Sequence, residues 1–294
     1  MEANSCFLNI RKGHALIFSI HPGSKYDFPV RHGVSKAFIT STLSMKSLVA
    51  LILWALILPL SAMAQETIET DRPTEAQTPK VVAKGELQIE LGLKKVQQNR
   101  DSWSVQHPNA LFRYGLANWL ELRLESNLET QKFGPSGASG LKPIEAGFKL
   151  KGYQTADTTF VLSLYSLIGF PRLASADHRN NRYFYRFRFL LENKITDKVS
   201  LNYNIGRDWD DQQMDHKWIY AVAPQLALSE RWELFGELYG RFEQGYEPEH
   251  YVDGGAAYSV NNNLKADLNL GKGLTKASSD YFITAGLSFK IGGR

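Results

Sequence analysis

Tyr281-Phe282-Ile283-Thr284-Ala285-Gly286-Leu287-Ser288-Phe289-Lys290-Ile291 sets Tyr281, Ile283, Ala285, Leu287, Phe289 and Ile291 on one side of the chain and Phe282, Thr284, Gly286, Ser288 and Lys290 on the other. An apolar side chain at every second position is the period of a β-strand, whereas a helix needs a period of about 3.6. The same alternation places Leu120, Leu122 and Leu124 opposite Glu121, Arg123 and Glu125, and Val199, Leu201, Tyr203 and Ile205 opposite Ser200, Asn202, Asn204 and Gly206. Working outward from these runs, twelve strands are predicted, starting near residues 85, 104, 119, 142, 159, 182, 199, 217, 231, 250, 264 and 280.

Most of these runs last about 9 to 12 residues, enough to cross a bilayer when tilted, whereas strands of soluble sandwiches run to about 5 or 6. The connections fall into two sets. Tight polar turns are expected at Ala117-Asn118, Ala156-Asp157, Thr196-Asp197-Lys198, Ser229-Glu230 and Asn261-Asn262-Asn263. Longer connections are expected at 97–103, 131–141, 171–181, 210–216, 243–249 and 272–279. Short turns on one side and longer loops on the other are the arrangement of outer-membrane barrels, and an even strand count lets the last strand close on the first. The expected fold class is therefore all-β, a closed antiparallel transmembrane β-barrel of about 12 strands, preceded by a signal peptide.

Composition agrees with that class. The 294 residues hold 34 Lys plus Arg and 30 Asp plus Glu, a net charge of +4, too mild for binding nucleic acid through its phosphates. Mean hydropathy of -0.29 excludes a bundle of long apolar helices but not a barrel, whose strands average lipid-facing with lumen-facing residues.

Met45-Lys46-Ser47, the apolar run Leu48–Leu60 and Ser61-Ala62-Met63-Ala64 together read as a secretory signal peptide over 45–64, cut after Ala64. Residues 1–44 read as an upstream extension outside the folded protein. Residues 65–84, interrupted by Pro73 and Pro79, form a periplasmic or plug segment, and 85–294 form the barrel. Positions 1–64 take six Lys or Arg and two Asp or Glu with them, so residues 65–294 carry 28 charges of each sign. Cys6, the one cysteine, is also lost, which excludes disulfides and thiolate metal sites from the mature chain.

Five tryptophans survive the cut. Trp119 and Trp232 fall beside tight turns and Trp103, Trp209 and Trp218 beside long loops, the levels at which indoles form an interface girdle. On the inward face, Glu90, Arg113, Glu121, Arg123 and Glu125 come from the first three predicted strands, Arg186 and Arg188 from the sixth, and Glu233, Glu237 and Arg241 from the ninth. They are read as one cluster near the periplasmic end. Such lumen-lining charges either orient a permeant by their opposed fields or pair with one another to fill a narrow lumen, and the second reading is preferred because buried charges need partners. Asp71 and Arg72 are the plug candidates: they pair with lumen charges if the segment folds inward, or hang free in the periplasm.

Thr70-Asp71-Arg72-Pro73, Gly85-Glu86-Leu87-Gln88-Ile89-Glu90, and Arg113-Tyr114-Gly115-Leu116 leading into Leu120-Glu121-Leu122-Arg123, together with the closing strand, resemble the "putative MetA-pathway of phenol degradation" family over residues 70–291. The resemblance implies an outer-membrane barrel, a channel or transporter passing small, often apolar or aromatic, compounds. Barrels of this type usually finish on an aromatic residue that the assembly machinery reads; here five residues follow Phe289. A structural or surface-interaction barrel without transport is the alternative function, and a lipid hydrolase a third. For the hydrolase, none of His107, His178, His216 and His250 has a serine at comparable depth with an evident partner, so no catalytic residue, metal site or cofactor is assigned. The expected location is the bacterial outer membrane. The expected partners are outer-membrane lipids, the outer-membrane assembly machinery and a small-molecule permeant, with no nucleic acid; the oligomeric state stays open.

Overall fold

A computed structural model describes residues 67–179, 182–209 and 216–292. The signal peptide 45–64 and the extension 1–44 lie outside the described residues.

Among the described residues the strands are β1 (Leu87–Asn99), β2 (Ser102–Ala117), β3 (Leu120–Phe133), β4 (Ser136–Leu141), β5 (Ile144–Gln154), β6 (Phe160–Phe170), β7 (Phe184–Lys194), β8 (Val199–Trp209), β9 (His216–Ala227), β10 (Trp232–Phe242), β11 (Glu249–Asn261), β12 (Leu264–Gly273) and β13 (Tyr281–Ile291). Twelve of them close into an antiparallel barrel. β13 returns to β1 in continuous register from Leu87↔Ile291 to Gln97↔Tyr281. The short β4 stands outside the ring: it pairs with the outer part of β3, Leu128–Phe133, while the inner part, Leu120–Glu125, pairs with β5.

Two stretches expected as loops are ordered differently. The connection at 97–103 is only Arg100 and Asp101, and 131–141 is the end of β3 folded against β4. The reason is common to both. Beyond the membrane the outward face also meets water, so the apolar alternation fades while the hydrogen-bonded ladder continues, and polar residues such as Gln97, Gln98 and Gln131 read as loop. Pro108, which has no N–H to give, sits where the β2–β3 register shifts between Gln106 and Asn109. The connection after β6 holds two single-turn 3-10 helices, Pro171–Leu173 and Ala176–His178.

The barrel is polar inside and apolar outside. Arg113 is 1% exposed and Glu90, Glu121 and Lys149 0%, whereas Leu93 is 59% exposed, Leu287 47% and Leu238 44%. Removing a Leu or Phe side chain from water is worth roughly 1.5–3 kcal/mol, so a ring of exposed leucines around a charged interior is stable only against lipid. Among the described residues no helix is long and apolar enough to cross a membrane. Leu238→Arg, in the middle of β10, is expected to cost about 2–4 kcal/mol, and Leu228→Arg, in the β9–β10 turn, about 0–1 kcal/mol. Urea unfolding of the barrel from lipid vesicles reads the difference; equal costs at the two depths would contradict a lipid-facing band.

The tryptophans lie at the strand ends. Trp119 sits in the β2–β3 turn and Trp232 begins β10, while Trp103, Trp209 and Trp218 stand near the other rim. There the Arg207 guanidinium lies over the rings of Trp218 at 4.8 Å and Trp209 at 5.6 Å.

Candidate functional site: a strap across the lumen

Residues 67–85 have neither the period of a helix nor that of a strand, so their course depends on individual bonds to the barrel wall. The segment starts at the short-turn end, where the Ile68 amide donates to the Asn262 carbonyl at 2.9 Å. It rises to a turn at Thr74–Gln77 and descends to Lys84, which bridges to Gly115 of β2.

Asp71 lies at the first crossing. Its carboxylate accepts from Arg123 Nη1 at 2.6 Å and, through both oxygens, from Lys149 Nζ at 3.0 Å; Arg113 Nε is 3.8 Å away. The Thr78 amide donates to the same carboxylate at 3.1 Å and closes the turn across its base. Around this pair the wall supplies a fixed counter-set. Arg113 donates to Glu121 through Nε at 2.8 Å and Nη2 at 2.9 Å, and to Glu90 through Nη1 at 2.9 Å. Arg123 reaches Glu121 at 2.9 Å, and Glu121 accepts the Val82 amide at 2.9 Å. Three cations, Arg113, Arg123 and Lys149, thus face three carboxylates, Asp71, Glu90 and Glu121, all deeply buried.

Arg72 points to a different part of the wall, β12 and β13. Its guanidinium forks onto Asp267 at 3.1 and 3.3 Å and donates to Thr284 Oγ1 at 2.9 Å. It lies over Gly92 of β1 and Gly286 of β13, which pair directly, and a Cβ at either would fall 2.1–2.7 Å from the guanidinium atoms. These two glycines form the floor on which Arg72 rests.

The turn is held by its backbone. Glu237 accepts the amides of Glu75 at 2.9 Å and Ala76 at 2.6 Å, and Asn204 exchanges two bonds with Gln77 at 2.7 and 3.1 Å. The Glu75 carboxylate meets Arg188 Nη1 at 3.0 Å and Arg241 Nη2 at 3.5 Å. Ala76 is buried against Ala221, Ala223, Tyr239, Tyr251 and Phe282. Ser163 Oγ donates to the Pro79 carbonyl at 2.5 Å on the way down.

Burial would raise the carboxyls of Asp71 and Glu75. The charges of Arg113, Lys149 and Arg123 on Asp71, and of Arg241 and Arg188 on Glu75, outweigh it and hold both well below the usual carboxylate range. Groups so depressed stabilise the seated segment fully above the ordinary value near 4, and that stabilisation is lost as pH falls from there toward the seated value. Protection of the strap amides at residues 71–78, taken relative to the exchange rate of a free amide at the same pH, is therefore expected to stay constant from about pH 7 to about pH 5. Below about pH 4 it should fall, each further pH unit removing up to about 1.4 kcal/mol per carboxylate. Loosening between pH 7 and 5 would contradict this.

The remaining inward charges divide by depth, which corrects the expectation of a single cluster at the periplasmic end. Glu233 pairs with Lys265 at 3.4 Å beside the short turns. Arg186, by contrast, contacts Glu145 at 3.1 Å, Asp208 at 3.8 Å and Glu125 at 3.8 Å on the long-loop side, where Arg188 and Arg241 also stand. Neighbouring strands run in opposite directions, so a residue early in β7 and one late in β10 share a level that their distance from a predicted strand start conceals. Lys149, Glu75, Asn204, Asp267 and the Gly92–Gly286 floor were not among the candidates. Lys149 was within reach of parity, since Phe148 and Leu150 flank it outward; Glu75 carried no local signal. The histidine rings described have other partners: Thr130 Oγ1 for His107 at 2.8 Å, the Glu129 carbonyl for His178 at 3.2 Å and Tyr220 for His250 at 2.9 Å.

Two cavities approach the strap from opposite ends. One of about 540 Å³ on the long-loop side reaches Asp71, Arg72, Glu75 and Gln77. One of about 950 Å³ on the short-turn side reaches Ile68, Glu69, Lys80 and Val82. They share no lining residue.

Comparison with curated proteins gives no match. Among solved structures, the COG4313 outer membrane channel from Pseudomonas putida F1 superposes with a TM-score of 0.58 at 10% identity, over 74% of this chain and 99% of that one. The KdgM porin and the NanC porin each give a TM-score of 0.49, at 12% and 11% identity, over 70% of this chain and 99% and 100% of theirs. The first of these shows a shared barrel fold. The sequence profile described as "Putative MetA-pathway of phenol degradation" matches residues 70–291, from the strap residue just before Asp71 to the end of the closing strand, and the chain belongs to that family.

Proposed function

We propose that the chain is a bacterial outer-membrane channel for small molecules, closed at rest by its own residues 67–85. The observation that carries this reading is the pair of cavities, one toward each end of the barrel, one bordered by the turn of the strap and the other by its two legs. A lumen filled only for stability would need no separate segment, since side chains alone fill narrow barrels. Here the obstruction is a strap that can leave without breaking any strand pairing.

The family description supports an aromatic permeant, and the upper cavity adds a chemical reason. Tyr239 and Tyr251 stack at 4.8 Å, and Phe282 stands 6.3 Å from Tyr251, giving an aromatic wall inside an otherwise charged lumen. Catalysis has no part in this reading. Liposome swelling with sugars, amino acids and aromatic acids tests it: faster swelling with aromatic acids than with sugars of similar size is expected. No permeation of any solute, with the strap in place or removed, would leave a structural barrel.

A further inference from the structure

The Glu75 carboxylate is the one acidic group the strap presents at the top of its turn, and it sits between two guanidiniums from strands three apart in the ring. Arg188 comes from β7 and meets it at 3.0 Å; Arg241 comes from β10 and meets it at 3.5 Å. Neither arginine is saturated, because the Nε of each is buried without a hydrogen-bond partner. Arg188 is further turned by Asp208 at 3.5 Å, which leaves its Nη1 for the strap. Two residues below Arg241 on the same inner face of β10 stands Tyr239, the start of the stacked Tyr239–Tyr251–Phe282 wall. Lys94 adds a third cation, its Nζ 4.8 Å over the Phe282 ring. All but Tyr251 of these groups border the cavity open to the long-loop side.

We infer that Arg188 and Arg241 form a carboxylate-binding site that Glu75 occupies at rest, and that a small aromatic carboxylate entering from the long-loop side takes its place and frees the turn. This rests on the channel reading and names its permeant class and its trigger. The exchange is charge for charge: one carboxylate leaves the two guanidiniums as another arrives, so no buried cation is left unpaired. A neutral aromatic cannot make the exchange, because displacing Glu75 would take from Arg241 its carboxylate partner and leave Arg188 with Asp208 alone at 3.5 Å. The ring of the incoming acid then lies on the aromatic wall, a contact Glu75 does not make. The tethered carboxylate competes at an effective concentration of order millimolar, so free acid binds the resting protein weakly.

Benzoate binding to the full-length barrel in detergent, followed by calorimetry, tests this with benzyl alcohol as the neutral control. Glu75→Gln is expected to tighten benzoate binding at least about tenfold, equivalent to about 1.4 kcal/mol, and to leave benzyl alcohol unbound. Adding Arg241→Gln to Glu75→Gln, a change at the more exposed of the two arginines, should abolish the gain. In the unmodified protein, saturating benzoate should speed exchange of the Glu75, Ala76 and Gln77 amides. Equal benzoate affinity with and without Glu75, equal binding of the alcohol, or bound benzoate with unchanged amide exchange would each overturn the proposal. Neither readout needs current to flow, so a barrel that binds benzoate as expected yet never conducts would refute the channel reading alone.

Discussion

Replacing Asp71 and Arg72 together by Ala is expected to turn a nearly silent barrel into a conducting one. The change removes Asp71 from Arg123 and Lys149 on β3 and β5 and Arg72 from Asp267 on β12. Breaking one buried ion pair from one side costs about 3–5 kcal/mol, because the partner is left charged and dry. At about 1.4 kcal/mol per factor of ten, a single such loss moves the ratio of seated to released strap by between about a hundredfold and several thousandfold, provided the strap rather than the barrel yields. The strap should yield, since between its two ends it is held to the wall by bonds that involve side chains, and each barrel strand by a full ladder. Open probability in planar bilayers measures the shift, with the heat-dependent change in gel mobility of a folded barrel as the check that the wall is intact. An intact barrel with unchanged current would remove the plug from the account.

The second large effect falls on the wall. Arg113→Met takes the cation from between Glu90 and Glu121 and from near Asp71, leaving two cations to face three carboxylates at the waist. The urea midpoint of the folded barrel should drop by the equivalent of about 3–5 kcal/mol. Combining Arg113→Met with Glu121→Gln restores two cations against two carboxylates and should recover most of the loss. The coupling between the two changes is then the energy of the pair. A double variant whose loss equals the sum of the two single losses would show that the waist is held by packing rather than by charge.

The barrel was legible in the sequence because lipid outside and charge inside impose a strict period of two. Leu120, Leu122 and Leu124 against Glu121, Arg123 and Glu125 give strand, face and polarity at once. That parity also assigned Glu90, Arg113 and Glu237 to the interior. Depth was less legible. A residue's height depends on strand direction and tilt, so Arg241 was set at the wrong end of the lumen. The strap was least legible, for a physical reason. Its partners lie far away in sequence, 162 residues between Glu75 and Glu237 and 195 between Arg72 and Asp267, and no local pattern encodes such contacts. Gly92 and Gly286 were equally silent, since a glycine in a strand reads as a weak point until the arginine lying over it is seen.

The most direct measurement uses the absence of cysteine from residues 65–294. Ala76 packs among buried Ala221 and Ala223 on β9, so Ala76→Cys paired with Ala221→Cys, or with Ala223→Cys, should join strap to wall by a disulfide. In such a barrel carrying Asp71→Ala and Arg72→Ala, current should be absent while the disulfide is intact and appear when it is reduced. Failure of both pairs to cross-link, or equal current before and after reduction, would contradict a strap that sits in the lumen and closes it.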